Sequence, residues 1–121
     1  MRVMVIVKST ADSETGVMPL PEAWAAMEAF NAELDAAGIT RAMGGLKPSS
    51  LGQRVKFDGP GRMISDGPFA ATNEVIAGFW IWEVKDMAEA VDWVTRCPNP
   101  MPGPSEIEIR PMYEDADFAD I

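Results

Sequence analysis

The sequence predicts an α+β domain, a ferredoxin-like sandwich in which an antiparallel sheet carries two helices on one face and a hairpin joins two strand–helix–strand halves. Three observations predict it. Residues 2–8 and 78–84 are apolar runs rich in β-branched or aromatic side chains, as buried strands require. Residues 21–37 and 86–96 repeat apolar side chains at spacings of three and four, the period of a helix with one buried face. Between the halves, Asp58-Gly59-Pro60-Gly61 has the composition of a hairpin turn. Strand, helix, strand, hairpin, strand, helix, strand is the order of a split βαβ fold.

Composition narrows the function before any motif does. A chain of 121 residues suits one domain, 1–121, able to bury a core without disulfides or a structural metal. Nineteen acidic against ten basic residues give a net charge of −9, which opposes binding to nucleic acid or an anionic membrane. The single cysteine, Cys97, has no intramolecular partner; with no leader and no apolar run of bilayer length, a cytoplasmic location is expected. No histidine is present, so acid–base work falls to carboxylates, lysine, tyrosine or the thiol.

Taken in order, Arg2 to Lys8 reads as a central strand. Residues 9–19 are a polar loop. In 21–37 the stripe is Ala23, Met27, Phe30, Leu34 and Ala37, with Pro21 suited to the first turn and Gly38 to the end. Trp24 and Met27 could line a ligand site, though core packing also explains them. Residues 39–46 form a short strand ending in Gly44-Gly45, which marks a bulge, a turn or a backbone closely approached by a ligand. The hairpin spans 54–66.

In residues 78–84, Trp80, Trp82 and Val84 share one face while Phe79, Ile81 and Glu83 share the other. Asp86 caps the second helix, with Glu89 in the capping-box position and Met87, Ala90, Val91, Val94 and Cys97 as its buried stripe. Residues 99–104 are a stiff proline-rich loop. Residues 105–110 alternate as the last strand, stopped by Pro111, and residues 112–121 form a solvated acidic tail. With both helices on one face, about half of the side chains of the two apolar runs are left uncovered. A homodimer would cover them.

The corner Asp66-Gly67-Pro68-Phe69 presents Asp66 at a defined place, because Gly67 permits backbone dihedrals closed to other residues and Pro68 fixes the exit. With the downstream Thr72-Asn73-Glu74 and Gly78-Phe79-Trp80, and upstream Gly45-Leu46-Lys47-Pro48-Ser49, this corner resembles the signature of the DGPF branch of the YCII-related proteins. The resemblance covers roughly residues 2–111. It implies the same fold, association as a dimeric α+β barrel, and a pocket between sheet and helices. A His–Asp pair suggested as catalytic in the YCII branch has no counterpart, since this chain lacks histidine and carries Cys97-Pro98 where that branch has Asp-Pro.

Chemistry is therefore sought at the corner. Asp66 and Glu74 are candidate catalytic carboxylates dividing base and acid roles in an isomerase-like or lyase-like proton transfer on a small organic molecule. Arg62 and Arg110 are candidates to hold an anionic substrate group, and Ser49 to add a hydroxyl hydrogen bond. Asp66 equally suits a structural role, accepting hydrogen bonds from its own turn, and Glu74 a surface or capping role. The alternative function is a non-catalytic ligand-binding or regulatory interaction module. No metal and no cofactor is assigned.

Overall fold

In the computed structural model, which describes residues 1–70 and 74–119, the run Arg2–Lys8 is strand β1 of a four-stranded antiparallel sheet. It pairs with β5 (Ile76–Glu83) on one side and β6 (Ile107–Pro111) on the other; β2 (Thr40–Gly45) lies beyond β5. The order β2-β5-β1-β6 is the split βαβ arrangement that the element order implies. The two most apolar runs occupy the two inner positions.

Helix α2 (Pro21–Ala36) begins on Pro21, whose missing N–H is not needed in a first turn. Gly38 follows it at φ 70°, a conformation that suits glycine past a helix end. Helix α3 (Met87–Arg96) is capped by Asp86, which accepts the Glu89 N–H at 2.9 Å. Glu89 reaches back one residue further than a capping box requires and accepts the Lys85 N–H at 2.7 Å.

Both helices cover the same face. Val3, Val5 and Val7 of β1, Trp80 and Trp82 of β5, and Val84 pack with Phe30 and Leu34 of α2 and Ala90 of α3. The Phe30 ring sits 6.2 Å from Trp80 and 6.2 Å from Trp93, both edge-on, an arrangement aromatic quadrupoles favour. Ala23 and Ala37, the ends of the expected α2 stripe, are exposed.

Three segments differ from the expectation. The loop after β1 contains a one-turn helix, α1 (Ala11–Glu14), capped by Thr10; a single turn leaves no periodicity to read. Strand β6 runs through Pro111, which pairs with Val3; β6 is an edge strand, where a missing N–H breaks no ladder on the open side. The acidic segment after β6 is exposed but tied down. Met112 N–H donates to the Arg2 carbonyl at 3.0 Å, Glu114 pairs with the Arg2 guanidinium at 3.2 Å, and residues Asp115–Phe118 form a short 3-10 turn. Asp120 lies outside the described residues.

Strands β3 (Gln53–Asp58) and β4 (Gly61–Asp66) form the expected hairpin as a separate two-stranded sheet in which every residue is exposed. Val55 faces Ile64, and Arg62 lies 4.4 Å from the centre of the Phe57 ring. On the reverse face of the main sheet, Met4 pairs with Ile81 and Ile6 with Phe79. Around this apolar strip stand Lys8, Glu108 and Arg110, joined in ion pairs, with Lys8 3.2 Å from Glu108.

Those ion pairs set an acid response. Hydrogen bonds from Lys8 and then Arg110 hold the Glu108 carboxyl below its ordinary value of 4.5, and hydrogen bonds from Arg2 do the same for Glu114. A folded-state pKa below the unfolded one contributes stability that is present above the unfolded value and lost as pH falls through the folded one. Thermal unfolding between pH 6 and pH 3 is therefore expected to fall more steeply for the native chain than for a Glu108→Gln, Glu114→Gln double variant. Parallel curves would show that these pairs contribute nothing.

Candidate functional site

Two hollows flank the second half of β2. The first, about 440 Å3, lies between α2, the β2 and β5 strand ends and the proline-rich loop. Its floor is bare. Gly45 and Gly78 are paired across β2 and β5, and their side of the sheet is that of Met43 and Trp80, the next cross-strand pair. A Cβ built on Gly45 would meet nothing within 4 Å, while one on Gly78 would stand 3.0 Å from the Gly44 carbonyl oxygen. The exposed Gly45 therefore leaves open space at this end of the sheet, while the buried Gly78 lies against the Gly44 backbone.

The walls are Trp24 and Met27 from α2, Met43 and Trp80 from the sheet, and Pro100 and Met101 from the loop. Two polar side chains, Glu28 and Asn31, complete the lining, one helical turn apart on α2. Trp24 Nε1 donates to Glu28 Oε1 at 2.7 Å, and Trp80 Nε1 donates to Asn31 Oδ1 at 2.9 Å. Each indole thereby fixes the polar group beside it. Small-molecule sites have this character, apolar walls with few placed polar groups.

The second hollow, about 460 Å3 and more open, lies under the Asp-Gly-Pro corner and is lined by Ser49, Arg54, Phe69, Glu74 and Lys47 among others. Here the chain folds against itself. Gly67 N–H donates to the Gly52 carbonyl at 3.0 Å, and Phe69 N–H donates to Ser49 Oγ at 3.1 Å. The Gly67–Pro68 peptide is cis. The Ser49 hydroxyl donates to Glu14, whose carboxylate also accepts the Ser49 N–H at 3.0 Å. Arg54 stacks 3.7 Å from the centre of the Phe69 ring.

Glycine is required at Gly67 for a different reason from the one its sequence suggests. Its φ is outside the left-handed region, which Gly16, Gly38 and Gly59 occupy. A Cβ there would fall 1.7 Å from the Ser49 carbonyl oxygen. Close backbone approach, not dihedral freedom, excludes a side chain.

Of the candidate residues, Ser49 and Glu74 line this second hollow together. Ser49 is buried with its hydroxyl already donating to Glu14 and accepting from Phe69. Asp66 is exposed at the end of β4, accepts the Gln53 amide at 2.7 Å and is not among the lining residues. Arg62 closes the hairpin tip, donating to the Gly59 and Gly61 carbonyls at 2.9 and 2.8 Å. Arg110 is on the edge strand, paired with Glu108. Thr72 and Asn73 of the corner signature lie outside the described residues.

Residues that sequence reasoning passed over carry much of the geometry. Glu14 sat in an unpatterned loop, and its link to Ser49 spans 35 positions. Glu28 and Asn31 were hidden among polar helix positions; their spacing of one turn beside Trp24 and Met27 was the available signal. Cys97 is half-buried, and burial pushes its thiol up to about 11, so it is protonated at neutral pH and a poor nucleophile. Among the described residues no three His, Cys, Asp or Glu side chains gather as cation ligands, and no helix is long and apolar enough to cross a membrane.

Fold and hollows together define an α+β protein with a split βαβ sheet and an apolar cavity roofed by its long helix. The chain belongs to the YCII-related domain family, whose model matches residues 1–113. It is also 28% identical over 67 residues to an uncharacterized protein of Rhizobium meliloti (strain 1021). That match spans about half of each chain, 55% of this one and 54% of the relative.

Proposed function

We propose that this YCII-related protein binds a small, largely apolar organic molecule in the cavity roofed by α2. The observation that carries the reading is the hollow of about 440 Å3 between aromatic and methionine walls, open at Gly45, which no described side chain fills. The test is a fragment and metabolite screen read by isothermal calorimetry, with Gly45→Leu as the blocked control. Saturable binding that Gly45→Leu abolishes is expected. A native chain that binds nothing, or a blocked variant that binds equally well, would remove the cavity from consideration.

A second reading places isomerase-like or lyase-like proton transfer in the other hollow, supported by Glu74 facing the same space as Ser49 and Arg54. In it Glu74 exchanges the proton, Arg54 and Lys47 hold an anionic group, and Asp66, which lies outside the lining and accepts from Gln53, takes part only by turning toward the hollow. Product analysis of any ligand found decides this: Glu74→Gln and Asp66→Asn should each abolish turnover while leaving the circular dichroism spectrum unchanged. If neither does, the second hollow has no such chemistry.

The proposal extends to the whole chain as a single domain of the DGPF branch that pairs with a second copy as an α+β barrel. Supporting it are the half-buried Met4, Phe79 and Ile81 on the reverse face of the sheet, beside the ion-paired Lys8, Glu108 and Arg110, and the exposed Val55, Phe57 and Ile64 of the hairpin. Light scattering should return twice 13.1 kDa. A persistent single-chain mass at micromolar concentration would refute the pairing.

A further inference from the structure

Building on the cavity assigned under Proposed function, we infer that its ligand is an aromatic amine, bound with its ring on the glycine floor and its ammonium group at the mouth beside Glu28 and Trp24. The charge of the lining is the first reason. Among the described lining residues Glu28 is the one carboxylate, and none is a lysine or arginine. A net charge of −9 over the whole chain repels anions further.

The pairing of Trp24 with Glu28 is the second. The indole N–H takes one carboxylate oxygen at 2.7 Å, which fixes the carboxylate beside the ring and leaves its other oxygen able to accept from a ligand. An ammonium placed there meets a carboxylate that attracts it. Asn31 completes the polar set. Its Oδ1 is occupied by Trp80, so its amide N–H2 is the group left to donate, and it suits an oxygen substituent on the ligand.

The apolar part accounts for the ring. A planar group can lie against the exposed Gly45 peptide, where a side chain would hold it away. Met27, Met43 and Met101 are unbranched and polarizable, and their sulfur atoms make favourable contacts with aromatic edges. They adapt to ring substituents that a wall of branched side chains would exclude.

Three probes with one ring and similar chains test the inference by calorimetry at pH 7: phenethylamine, 2-phenylethanol and 3-phenylpropionate. At a solvent-exposed mouth, a single charge pair discriminates by about fivefold. Phenethylamine should therefore bind about fivefold more tightly than 2-phenylethanol, with 3-phenylpropionate weakest. Glu28→Gln should erase the advantage of the amine over the alcohol and leave the alcohol unchanged; Gly45→Leu should abolish all three.

If 3-phenylpropionate binds as tightly as phenethylamine, or if Glu28→Gln leaves the ranking intact, the ligand class is overturned while the cavity reading stands. If none of the three binds at millimolar concentration, this inference is overturned, and the cavity reading fails with it only where the wider screen also finds no ligand. Glu28 is exposed on α2, so its replacement by glutamine is expected to leave the fold intact.

Discussion

Gly67→Ala is expected to destabilise the protein by about 3 kcal/mol or more, the upper end of the cost of forcing extra atoms into a packed region. The added Cβ would lie 1.7 Å from the Ser49 carbonyl oxygen, with the Ser49 carbonyl carbon 2.6 Å away. Backbone cannot rotate out of the way as a side-chain tip can. To make room, the corner must lift from the Ser49–Leu51 turn, which breaks the Gly67 N–H to Gly52 and Phe69 N–H to Ser49 hydrogen bonds and loosens the Glu14 link. Gly45→Ala provides the contrast, since its Cβ meets nothing within 4 Å and should change stability little. Urea unfolding of both variants checks this. A Gly67→Ala chain within about 1 kcal/mol of the native one would mean that the corner does not rest on Ser49.

Trp82→Ala should cost about 3–5 kcal/mol, as large-to-small changes of a core aromatic do. The side chain is 0% exposed, and its ring lies 5.7 Å from Trp80 and 6.4 Å from Phe30. Against the about 5–15 kcal/mol that holds a typical domain together, the loss would leave the protein marginally folded or unfolded at room temperature. Trp82→Phe should cost much less. It keeps an aromatic ring in place and removes an indole N–H that, buried, has no hydrogen-bond partner among the described residues. Equal losses in the two variants, measured by chemical unfolding, would mean that cavity formation does not dominate at this position.

Much of the fold was legible because it rests on periodicity. The period of two in residues 78–84 separated Trp80 and Trp82 from Phe79 and Ile81, and the structure keeps them on opposite faces. The period of three and four located both helices, and the proline and glycine turn located the hairpin. Boundaries shifted by a residue or two where flanking backbone either joins a ladder or does not; β5 begins at Ile76 and β6 ends at Pro111. The one-turn helix α1 left no pattern, because four residues complete barely one period.

The candidate site was legible only in part. The Asp-Gly-Pro corner packs against Ser49, but Asp66 turns to Gln53 while Ser49 and Glu74 share a hollow. Arg62 and Arg110 were attractive as free cations, yet the first satisfies hairpin carbonyls and the second pairs along its own strand. Such local partners compete with any ligand, and a residue's type gives no account of them.

By itself, the sequence determined the element order, the apolar strands, the helix faces and an acid–base repertoire without imidazole, since each depends on residue type or on neighbours a few positions away. Only the tertiary structure decided which face of β5 the helices cover, that Gly67 is needed for space, and that a cavity lined by Gly45, Trp24 and Met101 opens beside the sheet. Those outcomes depend on pairings between segments tens of residues apart. One strand of such a pair carries no mark of what the other will bring.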